Sequence, residues 1–314
     1  VRVHITSQID PTTPEQSAAL VAASSSYADI EAPITALPAG GVGDDVDVIV
    51  ATGWETTYPA FLDASDARRM YFVQDYEPWF TAMSSEHVLA ENTYRFGFHG
   101  ITAGRWLEAK LRDEFGMSTA AYDFGSDPGH YSVLTRERRD GVFFYARPET
   151  ARRGFELGVL ALQLVHEERP DARIILAGQD VSKHKLPFPY ESPGVMQVGD
   201  LNGLYNRCAV GLVLSLSNMS LLPLELLGAG VVPVVNDAAN NRMVSDNPYI
   251  AYADPTPRAL ADRVIEALDR VDQAEYAVAA AASVVGTGWD VSATQFLDAF
   301  ERGLDRSAGE SSDG

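Results

Sequence analysis

Short apolar runs rich in β-branched residues alternate with longer amphipathic segments along most of this chain. That alternation predicts an α/β protein built from βα units on mainly parallel sheets. In the first part, strands are predicted at Val1–Ile5, Val46–Ala51, Arg69–Gln74 and Gly100–Ala103, and helices at Pro14–Ser26, Glu86–Tyr94 and Arg105–Phe115. The stretch Phe124–Asp140, rich in Gly, Asp, Pro, Ser and Arg, breaks the pattern and reads as a linker. The alternation then restarts. Strands follow at Val142–Ala146, Arg173–Ala177, Val195–Val198, Gly211–Leu214 and Val231–Val235. Helices follow at Thr150–Glu168, Leu201–Cys208, Leu221–Gly228, Pro257–Val271, Glu275–Val285 and Ser292–Leu304. The polar tail Ser307–Gly314 reads as disordered. Two doubly wound halves facing a cleft are the simplest architecture, and ligands of such sheets sit at the C-terminal ends of the strands.

Length and composition agree with this picture. At 314 residues the chain suits two domains, and 46% hydrophobic with 22% charged residues is ordinary for a globular protein. No apolar run approaches the ~18 residues that span a bilayer, and no leader peptide is legible after Val1. The single cysteine, Cys208, excludes an internal disulfide and a cysteine-based zinc cluster, and reads as a small buried apolar side chain. A reducing, cytoplasmic setting is expected, with at most peripheral contact with the inner face of a membrane.

The formal charge of −20 changes the picture more. Residues 1–140 carry 10 basic and 21 acidic side chains, and 141–314 carry 14 and 23, so the acidity is spread over both halves. Such a surface repels nucleic acid and anionic membrane. A phosphate-bearing ligand must then be held locally, by a few Arg side chains, backbone N–H groups or a helix start.

Five segments carry candidate chemistry. In Ser215-Leu-Ser-Asn-Met-Ser-Leu-Leu-Pro-Leu-Glu225 an apolar strand runs through a small polar loop into a helix with Pro223 in its first turn, a geometry that aims N–H groups at one point. Ser217, Asn218, Ser220 and Leu221 are candidate contacts there, and Glu225 follows about one turn in. Alternatively Ser220 only caps the helix and Glu225 is a solvated first-turn acid. In Phe143-Phe-Tyr-Ala-Arg147-Pro-Glu-Thr-Ala-Arg152-Arg153-Gly, Arg147 ends a strand and Arg153 lies near a helix start, where a cation is unfavourable unless an anion lies between. The competing reading pairs these arginines with Glu149 or Glu156. In Tyr71-Phe-Val-Gln74-Asp75-Tyr76-Glu77-Pro-Trp79-Phe, a strand ends in amide, acid and aromatic groups suited to sugar hydroxyls and ring faces. Alternatively Asp75 and Glu77 cap a turn, with Trp79 and Phe80 in the core. Thr52, Gly53 and Trp54 form a fourth strand-to-helix turn, and Thr102 with Arg105 a fifth; each either lines a cleft or is a plain βα connection. The six histidines show no metal-ligand spacing, no Walker-type Lys loop exists, and no Gly-x-Gly-x-x-Gly follows the first strand.

Together these segments resemble the retaining family 4 glycosyltransferases of GT-B fold. The stretch 199–236 is similar to that family's donor-binding region, Arg147 and Arg153-Gly154 to its diphosphate-binding pair, and Ala177-Gly178 to its glycine turn. A closer resemblance is to the rhamnosyltransferase subgroup typified by WsaF, carried by Ala51-Thr-Gly-Trp-Glu, Tyr71-Phe-Val-Gln-Asp-Tyr-Glu-Pro, Leu89-Ala-Glu-Asn-Thr-Tyr, Ile101-Thr-Ala-Gly, Tyr145-Ala-Arg-Pro and Arg152-Arg-Gly-Phe-Glu-Leu.

The resemblance implies two Rossmann-like domains, over residues 1–135 and 136–290, and a C-terminal helix in 291–314 packing back on the first. It implies transfer of a sugar from a nucleotide sugar, dTDP-L-rhamnose by subgroup, to a glycan or lipid-linked glycan with retention and without a metal or other cofactor. Arg147, Arg153, Asp75 and Glu77 take the catalytic roles. Gly178, Ser217, Asn218, Ser220, Leu221 and Glu225 take the donor side, with Glu225 on the ribose. Thr52, Gly53, Trp54, Gln74, Tyr76, Thr102 and Arg105 take the acceptor side. Two departures stand out. The first Glu of the family's paired signature is Ser217 here, and the chain starts at what looks like the second strand, so the family's first strand and acceptor loop are expected either to be missing from this sequence or to belong to an N-terminal piece that precedes it. A non-catalytic nucleotide-sugar or glycan-binding module and a GT-B-type sugar epimerase are the alternative functions.

Overall fold

The computed structural model describes residues 1–6, 13–23, 31–127 and 129–305. The expected disordered tail and the last three residues of the predicted first helix lie outside them. The chain divides into two compact units. One holds Val1–Ala103, Glu108–Ala120 and the chain from Ala299 onward; the other holds Gly104–Leu107 and Ala121–Asp298.

In the first unit, β1 (Val3–Ile5) and β2 (Ile34–Ala36) pair in parallel on either side of α1 (Pro14–Ala23). A separate four-stranded sheet has the order β3 (Val48–Ala51), β4 (Arg68–Val73), β5 (His99–Ala103), β6 (Thr119–Tyr122). Helices α2 (Trp54–Leu62), α3 (Ser85–Thr93) and α4 (Arg105–Phe115) and a 3-10 turn at Glu77–Phe80 connect these strands. All five residues of β5 are buried, as a strand covered on both faces requires. The last turns of α11 (Trp289–Asp305) count with this unit: His99 Nε2 lies 3.1 Å from the Ala299 carbonyl, and Arg68 donates to the Gly303 carbonyl at 2.7 Å.

The second unit is a six-stranded parallel sheet formed by β7 (Gly141–Ala146), β8 (Arg173–Gly178), β9 (Glu191–Gly194), β10 (Cys208–Val213), β11 (Val232–Asn236) and β12 (Ala251–Ala253). Its order is β12-β11-β10-β7-β8-β9. From β7 the chain builds outward through β8 and β9, then returns beside β7 at β10 and builds the other way. The reversal makes the junction of β7 and β10 a topological switch point, where the carboxyl ends of the strands leave a crevice. Helices α5 (Phe155–Glu168), α6 (Val198–Tyr205), α7 (Leu222–Gly228), α8 (Ala239–Arg242), α9 (Pro257–Leu268) and α10 (Gln273–Ser283) join the strands. Every residue of β10 and β11 is buried. Gly230 ends α7 at φ +71°, donating to Leu227 O while Val231 donates to Leu226 O. This paired closure needs a left-handed residue, and glycine adopts that conformation without cost.

Several elements differ from the sequence reading. Val195–Val198 is not a strand: β9 is Glu191–Gly194, and Val198 opens α6. The predicted helix Leu201–Cys208 ends at Tyr205, because Cys208 is the first residue of β10. Its thiol is fully buried there, and burial pushes it up to about 12. The predicted helix from Thr150 is a 3-10 turn, Ala151–Arg153, followed after Gly154 by α5. The linker region Phe124–Asp140 has no regular element among its described residues, yet it belongs to the second unit and puts Tyr131 into that unit's core.

Candidate functional site

The loop after β10 stands at the switch point of the second unit. Ser215, Ser217, Asn218 and Met219 are buried, so their polar groups need partners inside the protein. Three asparagines supply them. Ser215 N donates to Asn236 Oδ1 at 2.8 Å, and Asn236 Nδ2 returns a bond to Ser215 O at 3.0 Å. Asn240 Nδ2 also donates to Ser215 O at 3.0 Å, and to Ser217 O. Asn241 Nδ2 donates to Asn236 O at 2.7 Å and Ser215 O at 3.2 Å. An asparagine amide has the donor and acceptor of a peptide group, so these side chains replace the strand ladder where it ends. Inside the loop, Ser215 Oγ donates to Asn218 O at 2.6 Å.

The same loop carries the β7–α5 connection. Leu216 N donates to Arg152 O at 2.9 Å, and Arg153 Nη1 donates to Ser215 Oγ and, at 3.4 Å, to Asn218 O. Arg153 therefore sits in a 3-10 turn tied to the loop, not in the first turn of α5 as the sequence suggested. Arg147 has no ion pair with Glu149 or Glu156. Arg147 Nη1 donates to the Tyr145 hydroxyl at 3.2 Å, and its Nε is enclosed without a hydrogen-bond partner. Ser220 Oγ is likewise enclosed and unpartnered. Leu221, not Ser220, is the N-cap of α7, so no side chain caps that helix. Gly178 closes β8 at φ +133°, and a Cβ there would lie 2.6 Å from Ala146 O, so the chain end beside Arg147 admits only glycine.

Ser217 and Asn218 are placed differently from their predicted role. Both are buried, at 0% and 1% exposure, inside the tethered loop. The exposed tip is Leu216. What Ser217 contributes is a carbonyl to the asparagine network, and its hydroxyl faces no open surface.

Glu225 is half-buried, not a solvated first-turn acid. Tyr205 donates to its Oε2 at 3.2 Å, and Tyr131 is a second phenolic neighbour. The two rings stack at 5.8 Å, and Tyr205 meets Phe143 edge-on at 5.2 Å. Burial raises the Glu225 pKa, and the two phenols act against that shift. The carboxylate is thus oriented by a rigid aromatic wall. Tyr205 stood in a family-like element of the sequence; Tyr131 was missed because it sits among turn residues.

In the first unit, the β4 end carries a buried carboxylate pair. Asp75 and Glu77 are each 7% exposed. Asp75 Oδ1 accepts from Tyr76 N at 2.8 Å, while Glu77 Oε2 accepts from Trp54 N, the first N–H of α2, at 2.6 Å. Glu77 thereby closes the helix start that Gly53 caps; a Cβ at Gly53 would stand 3.9 Å from both carboxylate oxygens. Tyr71, Tyr94 and Tyr76 stack in sequence at 5.9 and 5.6 Å. Lys110 Nζ lies 4.4 Å from the Tyr76 ring centre and 5.0 Å from that of Trp79.

Of the predicted acceptor-side residues, Thr52 and Gln74 are exposed and Gly53 and Trp54 partly so. Tyr76 and Thr102 are buried, at 4% and 0%, so neither presents a surface; they belong to the aromatic stack and to β5. Arg105 is exposed, lies 3.7 Å from Asp123 and counts with the second unit. Trp79 and Phe80 are not core residues but 43% and 37% exposed.

Burial is the main cause that raises Glu77 to about 7, against the Trp54 N–H and the Tyr71 hydroxyl, with the Asp75 charge adding to the rise. The native chain then holds a proton that the unfolded chain, near 4.5, has released. Stability therefore falls as pH rises from about 4.5 to about 7, by an amount of the order of 3 kcal/mol. Glu77→Gln keeps an acceptor for Trp54 N. It is expected to flatten the fall in denaturation free energy between pH 5 and 8. An unchanged pH slope in urea titrations would exclude Glu77 as its source.

Known proteins are similar to this chain in sequence or in fold. Residues 140–266 match the family described as WsaF, C-terminal domain. The O-antigen biosynthesis protein RfbC of Myxococcus xanthus is 34% identical over 285 residues, covering 83% of this chain; the chain spans 22% of that relative's length. Among solved structures, HepE of Anabaena in complex with UDP-glucose aligns with TM-score 0.66 at 15% identity, over 82% of this chain and 79% of that one. Sucrose-phosphate synthase from Thermosynechococcus elongatus aligns with TM-score 0.65 at 14% identity, over 83% and 74%. The chain has the GT-B fold of these structures, and its residues 140–266 are similar to the C-terminal domain of WsaF.

Proposed function

We propose that this chain is a glycosyltransferase that takes a sugar from a nucleotide donor held at the switch point of its second unit. The observation that carries the reading is the tethered 215–218 loop together with two enclosed, unpartnered donors, Arg147 Nε and Ser220 Oγ. A buried donor without a partner costs about 1–3 kcal/mol, and a phosphate oxygen removes that cost. Arg147, Arg153 and the uncapped start of α7 bind the diphosphate and stabilise the charge that develops on it as the glycosidic bond breaks. Gly178 lets the β8 end come close, and Glu225, held by Tyr131 and Tyr205, orients the ribose. The RfbC relative supports a role in O-antigen-type polysaccharide synthesis, and HepE, bound to UDP-glucose in its structure, supports a nucleotide-sugar donor.

The donor is dTDP-L-rhamnose, transferred with retention to a glycan or lipid-linked glycan, and no metal is needed. Ser217 in place of a carboxylate suits a deoxysugar. On the acceptor side, Gln74, Thr52, Gly53 and Trp54 offer surface, with Glu77 setting the β3–α2 turn from behind and Asp75 beside it. Arg105 is an exposed cation held by Asp123. Among the described residues no helix is long and apolar enough to cross a membrane.

The test is turnover of dTDP-rhamnose, UDP-glucose and GDP-mannose, with product analysis with and without acceptor. Preferred use of dTDP-rhamnose is expected. Binding without any turnover would mean a binding module, and an altered sugar released without acceptor an epimerase. Absence of binding to every nucleotide diphosphate would remove the proposal.

A further inference from the structure

A cavity of about 350 Å³ opens beside the edge strand β12. Arg242, Arg263 and Arg270 line it, together with Tyr249, Tyr252 and Tyr276. In a chain with 24 basic and 44 acidic residues, three arginines around one cavity is an unusual concentration, and Glu266 is the one acid in the wall. The guanidinium groups are held flat: Arg242 lies 4.3 Å over the Tyr252 ring and Arg270 4.5 Å over Tyr276. The tyrosine hydroxyls are tied back, Tyr252 to Ser245 O at 2.8 Å and Tyr276 to Tyr249 O at 2.5 Å, so these walls are preorganised.

Each arginine has an acid neighbour: Asp237, Glu266 and Asp272. Those pairs are exposed or half-exposed at the surface, where such ion pairs are worth about 0–1 kcal/mol each, little to set against a bound anion. Arg270 Nε makes no hydrogen bond at all. The volume falls at the small end of the ~300–1,000 Å³ range of small-molecule sites. None of these residues belongs to the 215–220 loop or the β7–α5 connection.

We propose that this cavity binds an acidic monosaccharide unit, its carboxylate or phosphate on the three arginines and its ring beside the half-buried Tyr249 and Tyr252. The test is calorimetric titration with glucuronate, glucose 1-phosphate, inorganic phosphate and glucose, in low salt and with saturating dTDP present to occupy the donor site. Saturable binding of the two charged sugars is expected, at least tenfold weaker in Arg242→Ala and in Arg263→Ala. Arg263 is a surface helix position, so its variant stays folded, and thermal melting checks both. Binding of dTDP itself should be the same in both variants, which separates this site from the donor site. No binding of either charged sugar, equal binding of glucose, inorganic phosphate binding as tightly as glucose 1-phosphate, or indifference to both variants would each overturn the proposal.

Discussion

Replacing Arg153 by alanine lowers kcat/KM for the nucleotide-sugar donor by about 10²–10³, some 2.7–4 kcal/mol of transition-state stabilisation, the range for loss of one preorganised donor facing developing charge. Arg153 is placed for a large effect because it is a cation held directly by the 215–218 loop, through Ser215 Oγ and Asn218 O. A planar guanidinium fork matches a phosphate bidentately, which a point-charge ammonium cannot. Arg153→Lys keeps the charge but loses the fork, and should recover only part of the activity. Ser215→Ala removes the anchoring hydroxyl while leaving the cation, and should cost less than Arg153→Ala. Steady-state kinetics with a parallel measurement of dTDP affinity check this. Equal activity of Arg153→Ala and the parent chain would take Arg153 out of the site.

The second large effect is expected from Asn241→Leu. Asn241 is fully buried and bridges the end of β11 to the loop through Asn236 O and Ser215 O. Leucine has a similar size but no donor, so buried carbonyls lose a partner, and stability should drop by about 2–4 kcal/mol. Because the same bonds hold the loop, dTDP affinity should fall as well, even at low temperature where the variant is folded. Urea denaturation followed by nucleotide titration separates the two losses. A variant that loses stability but binds dTDP normally would mean that the asparagines support the sheet and not the ligand.

The legible parts of this protein are those where local pattern and tertiary role coincide. Helix α4 runs over Arg105–Phe115, as its periodicity predicts, because one face alone is apolar. The central strands β7, β10 and β11 are continuous apolar runs because parallel strands are covered on both faces. The edge strand β9 was misplaced for the opposite reason. An edge strand pairs on one side only, so the polar segment Glu191–Gly194 suffices, while the more strand-like Val195 and Val198 stay exposed at 79% and 57%. The short strands β2, β6 and β12 are built from Ala, Thr and Tyr with a single Ile among them, so no apolar β-branched run marks them. Helix α2 was legible only at its start, the strand-to-helix turn at Thr52–Trp54; its extent was hidden by its aromatic, Thr-rich composition and by Pro59 inside it.

In the site, residue chemistry was readable and residue placement was not. The sequence by itself determined the α/β class, the acidity that confines any phosphate to a local cluster, and the segments that hold Arg147, Arg153 and Glu225, since these depend on residue type and on spacing along the chain. Only the tertiary structure decided that β10 returns beside β7 and so creates the switch point. It also decided that Asn236, Asn240 and Asn241 clamp the loop, that Tyr131 and Tyr205 aim Glu225, and that Ser217, Asn218, Tyr76 and Thr102 are sealed inside. Each of these rests on contacts between residues distant in sequence or on burial by neighbouring elements, and local spacing carries no record of either.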